Sequence, residues 1–280
     1  MMVLLGISSG LVWGTADFFG GLQSRRLPAL AVAFWSQVAG GIALLFVLAA
    51  MGGPPALGSM LWGVGAGVFG GSALVLFYKG LAQGVMSVVA PVSACGAMIP
   101  VVAAIGRGET PGVLATLGLL AAIGGIVLVS LQPDETPSGA SDARSALALA
   151  LGAALGFGLF FALIDQGATG GASPLWAVGG ARIGSLAVLL ALVTLGSGGA
   201  QWPGRRAAAV AVIGLMDTSA NALFAYAATR DTLGIAAVLG SLYPVATVLL
   251  GRLVLSERLS RTQGAGVALA LTGVALLSAG

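Results

Sequence analysis

The chain of 280 residues has no histidine, a single cysteine and few charges. Without histidine, imidazole ligation of zinc and imidazole acid–base catalysis are excluded. Cys95, alone in an apolar run, excludes an intrachain disulfide and any cysteine-based metal site. Charged residues make up 8% of the chain, against about 25% in a soluble domain, too few to cover a water-facing surface. The 12 basic and 9 acidic residues leave a net charge of only +3. No Lys/Arg cluster interleaves with aromatic residues, so nucleic acid is not an expected partner. A Gly-Lys-Ser/Thr phosphate loop is missing too, which argues against an ATP-driven pump, and no cofactor is expected. The stretch GAGVFG (65–70) fits G-x-G-x-x-G, but it lies in an apolar run with no strand before it and reads as helix-packing glycine.

What the chain does have is length and apolar character. Hydrophobic residues make up 58% and the mean hydropathy is +1.05. A membrane-spanning helix needs about 20 apolar residues. Cutting at glycine, proline and charge gives ten such segments: 3–22, 29–51, 60–79, 86–105, 112–131, 145–164, 174–195, 207–229, 234–254 and 261–279. The first, MMVLLGISSGLVWG, has neither a charged leader nor a small-residue cleavage site, and reads as a span rather than a removable signal. The long polar stretch QPDETPSGASDAR (132–144) has the composition of a flexible linker at the water interface. It divides the chain into two units, 1–131 and 145–280.

The two units read as copies. A shift of 146 residues brings Gly6 onto Gly152, Gly10 onto Gly156 and Pro28 onto Pro174. A shift of 148 brings Tyr78 onto Tyr226, Ser93 onto Ser241, Glu109 onto Glu257, Gly118 onto Gly266 and Gly125 onto Gly273. With five helices each, an odd number, the second copy enters the membrane from the opposite side. The expected fold is therefore an all-α integral membrane protein, ten transmembrane helices in two inverted five-helix repeats. In that architecture the binding site lies near the midplane between the repeats. Loops on the side of the termini hold Arg107 and Arg230, whereas Arg25, Arg26, Lys79, Arg144, Arg205, Arg206, Arg252, Arg258 and Arg261 mark the other side. The positive-inside rule then puts the linker in the cytoplasm and both termini outside.

Several stretches carry a family likeness. LVWGTADFFGG (11–21) is followed by QSRRLP (23–28), and FYKGLAQGVMSVVAPVSA (77–94) by the turn GRGETP (106–111). The second unit has LGSLYPVATVLLGRLVLSERLS (239–260). Together these resemble the EamA family of the drug/metabolite transporter superfamily. The resemblance implies a secondary transporter of the bacterial-type cytoplasmic (inner) membrane. It would move a small metabolite or drug-like solute by alternating access through a cavity between the halves, usually outward. An uptake facilitator on the same fold is the alternative, and a lipid-handling protein or membrane-embedded enzyme the more distant one. No nucleophile–base or metal constellation supports an enzyme. The expected partners are a small-molecule substrate and the lipid bilayer, with proton coupling left open.

The candidate substrate-binding residues are Trp13, Asp17, Tyr78, Ser93, Arg182, Asp217, Asn221, Tyr226 and Tyr243. Charge inside hydrocarbon costs at least ~2.5–3.5 kcal/mol, faces the bundle interior and usually pairs. Ser9, Trp13 and Asp17 follow at intervals of four and share one helix face. Asp17 is read either as a cavity gate or cation/proton site, or as a packing residue reaching toward Arg25 and Arg26. Asp217 with Asn221 at i+4, and Arg182 at matched depth, are expected to pair, as a structural bridge or facing substrate. Asp165 reads as a solvated helix end. Tyr78 and Tyr226 read as gates at opposite mouths or as aromatic-belt anchors. Glu109 and Glu257 precede new helices and read as capping groups with Thr110-Pro111 and Ser260. Pro91, Pro100 and Pro244 mark expected breaks within spans.

Overall fold

The structure, a computed structural model, describes residues 2–52, 54–99, 112–130, 140–168, 173–196, 200–228 and 243–279. Pro100, Arg107, Glu109, Thr110, Pro111, Arg230, Ser241 and linker residues 132–139 lie outside the described residues. All regular structure among the described residues is helical. The helices are α1 (Met2–Ser24), α2 (Ala29–Met51), α3 (Leu57–Gln83), α4 (Met86–Ala94), α5 (Val113–Ser130), α6 (Ala140–Ala168), α7 (Leu175–Leu195), α8 (Ala207–Ala228), α9 (Tyr243–Leu255) and α10 (Arg261–Ala279). Of these, α2, α3, α6, α7 and α8 contain stretches long and apolar enough to cross a bilayer, while α5 and α9 are shorter apolar helices. Large apolar side chains stand on the outer surface, Phe46 and Leu61 each 72% exposed and Leu253 78%. Water would oppose such a surface and lipid accepts it. The chain is a multi-pass membrane protein.

Two of the departures from the sequence reading have a clear local cause. Residues 140–144, expected to end the linker, form the first turns of α6. Alanine in ASDARSALALA favours helix, and an acidic residue suits a helix N-terminus. In the fourth segment α4 gives way to a 3₁₀ turn, Cys95–Ala97. Pro91 supplies no N–H there, and Gly96 approaches the backbone of Ala154 and Gly158 on α6 too closely for a side chain. Pro244 is the second of the described residues of α9, and the residues before Tyr243 lie outside the described set.

Lipid tails are as apolar as leucine, so helices in a membrane associate through close packing and buried hydrogen bonds. Here α3 lies against α6 and α7, and α8 against α1 and α2; α4 packs on α6 and α9 on α1; α5 pairs with α10, α4 with α9 and α2 with α7. Exchanging every helix with the one five places away maps these pairs onto each other or onto themselves. The α5–α10 seam is reciprocal at residue level. Gly125 faces the backbone of Gly266 and Ala270, and Gly273 faces the backbone of Gly118 and Ala122. The GAGVFG glycine Gly67 abuts the backbone of Ala181 and Ser185 on α7, which is the packing role its sequence context suggests. Polar seams supplement this: Ser9 Oγ donates to Ala220 O at 2.9 Å, and Thr247 Oγ1 to Gly14 O at 2.9 Å.

The basic turns gather at one end of the bundle. Arg206 donates to Gln23 at 3.2 Å, Ser145 to Gln83 at 3.3 Å, and Arg25 lies 3.7 Å from Glu257. Trp35 donates to the carbonyl of Gln201 and stacks edge-on against Trp202, 4.8 Å between rings, an aromatic anchor of interfacial type. Glu257 corrects the expectation that it serves its own helix. Its carboxylate accepts the N–H groups of Met86 and Ser87, both at 2.9 Å, and the Ser87 hydroxyl at 2.7 Å, so it caps α4 in the other half. Its own neighbour α10 is closed by a capping box instead. The Gln263 N–H donates to Ser260 Oγ and the Ser260 N–H to Gln263 Oε1, each at 3.1 Å.

Candidate functional site

A cavity of about 70 Å³, lined by side chains of both halves, lies where they meet. Seven helices line it: α1 with Trp13 and Asp17, α2 with Gln37, α3 with Gly67, Gly70, Gly71 and Leu74, α6 with Phe157, Phe160 and Phe161, α7 with Ala181, Arg182 and Ser185, α8 with Asp217 and Asn221, and α9 with Tyr243. The glycines on α3 let that helix come close. A side chain at Gly70 would enter the Phe160 ring, and one at Gly71 would meet Ser185 and Val188.

The expected pair forms at the centre: Arg182 Nη1 lies 2.8 Å from Asp217 Oδ2. Buried charges are tolerated when geometry and additional hydrogen bonds replace the lost water, and Asp217 is well supplied. Its Oδ1 accepts from Trp13 Nε1 and Asn221 Nδ2, each at 3.2 Å, and its Oδ2 accepts from Gln37 Nε2 at 3.1 Å. Gln37 is the hub, since its Oε1 accepts from Arg182 Nη1 and, at 3.0 Å, from Ser185 Oγ. Four helices, α1, α2, α7 and α8, are thereby tied through one carboxylate and one amide.

The other cavity acid is different. Asp17 is 8% exposed, and among the described residues its carboxylate has no hydrogen bond or ion pair. It does not reach Arg25, whose acidic neighbour is Glu257. Two further cavity atoms, Arg182 Nε and the Tyr243 hydroxyl, are buried without a hydrogen-bond partner. Aromatic faces form much of the wall. Trp13 meets Phe161 edge-on at 5.7 Å and Phe224 at 5.5 Å, and Phe160 meets Phe161 at 5.3 Å.

Of the nine candidates, Trp13, Asp17, Arg182, Asp217, Asn221 and Tyr243 line this one cavity. Tyr78, Ser93 and Tyr226 do not. Ser93 is fully buried and its hydroxyl donates to backbone carbonyls, Val89 O at 2.9 Å and Ala150 O at 3.4 Å. Tyr78 is 1% exposed and lies against Gly20, so it is a core residue and not a belt anchor; Tyr226 is 37% exposed. Asp165, read as solvated, is partly buried. The sequence reading missed Gln37, Ser185 and the Phe157–Phe160–Phe161 wall. Gln37 carried a usable signal, an amide within the apolar run AVAFWSQVAGG, where an unbonded polar group is costly. Ser185 follows Arg182 by one turn on the same face. Among the described residues no cluster of three acidic or thiol ligands could hold a metal ion.

The sequence matches the EamA-like transporter family twice, over residues 1–131 and 144–279. The chain belongs to the EamA-like transporter family. That family is part of the drug/metabolite transporter superfamily, and its membership makes this chain transporter-like in general function. Among solved structures, one titled "Crystal structure of protein" is 18% identical, with a TM-score of 0.64 over 98% of this chain and 95% of that one. At that identity the likeness speaks for the fold alone. Comparison with curated proteins finds no match. The EamA cavity is thus built from both matched segments, residues 13–74 from the first and 157–243 from the second.

Proposed function

We propose that this EamA-like protein is a secondary transporter that carries a small organic solute across the cytoplasmic membrane by alternating access, with export as its direction. One observation carries the reading: a buried charge network inside an aromatic-walled cavity, assembled from both halves of the chain. A purely structural ion pair needs no empty space beside it. The architecture we propose is ten spans in two inverted repeats, 1–131 and 145–280, joined by a cytoplasmic linker at 132–144 whose last five residues already belong to α6, with both termini outside. The exchange of helix pairs five places apart supports the repeat, and the gathering of Arg25, Arg206 and Glu257 at one end supports the basic side as one face.

The basic end is the closed mouth in this reading. Tyr78, Leu81 and Met86 are buried there beside Gly20 and Gly21, and Glu257 fastens the α9–α10 turn to α4. Tyr78 and its repeat mate Tyr226 then serve as gates at opposite ends. Tyr78→Ala should open the cavity toward the cytoplasm and Tyr226→Ala toward the outside. Single cysteines at each mouth, in a Cys95→Ala background, read this by labelling with a membrane-impermeant thiol reagent. Unchanged labelling in both variants removes the gate role. The function itself is tested by a thermal-shift screen of small metabolites followed by counterflow in proteoliposomes. A ligand that stabilises the protein and exchanges across the bilayer is expected. Ligands that bind yet never cross would overturn transport, and a reporter after Gly280 active only in the cytoplasm would overturn the orientation.

A further inference from the structure

At the basic end of the bundle, arginines of both halves meet around Gln23. The Arg26 N–H donates to the Gln23 carbonyl at 2.9 Å, closing the turn after α1, and Arg206 Nη1 donates to the Gln23 side chain at 3.2 Å. Arg205 and Arg206 end the 3₁₀ turn Gly204–Arg206 that leads into α8, which packs on α1 and α2. Arg26 and Arg205 are exposed. Glu257 faces Arg25 and caps α4, and among the described residues Arg26, Arg205 and Arg206 have no acidic partner. A tryptophan ledge lies below them. Trp35 sits on α2, which begins at Ala29, about 9 Å along the helix from its basic end. Its Nε1 donates to the Gln201 carbonyl at 3.1 Å and its ring meets Trp202 edge-on at 4.8 Å, so the segment before Gly204 descends along α2. Trp202 is 64% exposed there. In a bilayer an indole settles at the headgroup boundary, and arginines just beyond it stand among the phosphates.

We infer that this corner docks one anionic phospholipid, its phosphate held by Arg26, Arg205 and Arg206 and its glycerol and first acyl carbons resting on Trp202. Charge selects the headgroup. Guanidinium forks pair with phosphate oxygens in a planar, directional way, and the protein itself supplies no carboxylate to compete. A choline or ethanolamine head would bring its own cation against the arginines, whereas a glycerol head leaves the phosphate's charge free. The ledge selects a lipid over a soluble ion, because free phosphate would leave the exposed Trp202 ring unused. Arg26 belongs to the first half, and Arg205 and Arg206 to the second. A single phosphate therefore ties the halves together at the basic end, beside the turn that Glu257 fastens to α4. This inference is independent of the solute that the cavity carries.

The test uses the full chain purified in detergent and native mass spectrometry, which counts bound lipids. The probes are phosphatidylglycerol and phosphatidylcholine with identical acyl chains, and inorganic phosphate serves as competitor. The first phosphatidylglycerol should bind at least roughly tenfold tighter than the first phosphatidylcholine and raise the melting temperature. Arg205→Gln should weaken it roughly fivefold, and Arg26→Gln with Arg205→Gln should remove the selectivity between the two lipids. Neither change touches the side-chain bond from Arg206 to Gln23. Arg261→Gln on α10 removes the same charge from the basic end and should alter the affinity less than about twofold. Trp202→Ala should weaken both lipids alike. Equal affinity for the two lipids, or an equal loss with Arg261→Gln, leaves only bulk surface charge and overturns the site. Displacement of the lipid by millimolar phosphate overturns the lipid in favour of a free anion. Should the double variant aggregate, Arg205→Gln alone carries the test, since its side chain is exposed.

Discussion

The halves of the molecule meet along two contrasting seams. At α5–α10 the contact is made by small residues and repeats itself: Gly118, Ala122 and Gly125 face Gly273, Ala270 and Gly266, the same three positions in each half. At the cavity the repeat is broken. The offset that pairs the glycines puts Phe69 at the position of Asp217, Ala73 at that of Asn221 and Cys95 at that of Tyr243. The shift of 146 likewise puts Leu163 opposite Asp17 and Ser36 opposite Arg182. A seam that only has to hold two similar surfaces together is satisfied by identical, self-complementary partners, as in an isologous dimer contact. The charge pair has no such mate: Arg182 and Asp217 both belong to the second half, and the repeat positions in the first half are Ser36 and Phe69, neither of them charged.

The largest expected effect is at the asymmetric seam. Asp217→Asn or Arg182→Gln strands one buried charge and should cost about 3–5 kcal/mol, read as a lower melting temperature in detergent. The double change should recover part of that loss, and strictly additive losses would argue against the pairing. Next comes the symmetric seam, where Gly125→Val and Gly273→Val both force a side chain into opposing backbone. Each should cost about 2 kcal/mol, and the two should match within about 0.5 kcal/mol if the seam is truly reciprocal. A large inequality would break the comparison. Glu257→Gln removes the charge that caps α4 and faces Arg25. It should cost about 1–2 kcal/mol and raise thiol labelling at the basic end. Unchanged labelling would make Glu257 a cap only. The smallest effect belongs to Trp13→Phe, which keeps a ring among Phe161 and Phe224 but removes one donor to Asp217. About 1 kcal/mol is expected, from the same melting measurement.

Composition and period determined much of this on their own. Whether a stretch of 20 residues dissolves in lipid depends on its own side chains, so the membrane class and the helical character of the described segments were legible. So was the need for Arg182 and Asp217 to find each other, since each is a charge in an apolar helix with no local partner. What only the tertiary structure decided is which faces meet. Gln37 became the hub because α2 packs between α7 and α8, and Tyr78 became core because Gly20 leaves room for its ring. Glu257 caps α4 and not its own α10 because the α9–α10 turn lies against the start of α4. Among the described residues Asp17 was left without a hydrogen bond or ion pair for the same reason: Arg25 lies against Glu257 and Arg182 against Asp217. Local chemistry fixes what each side chain needs, but with few charges in the chain, the packing of the other helices fixes which of them is left unsatisfied.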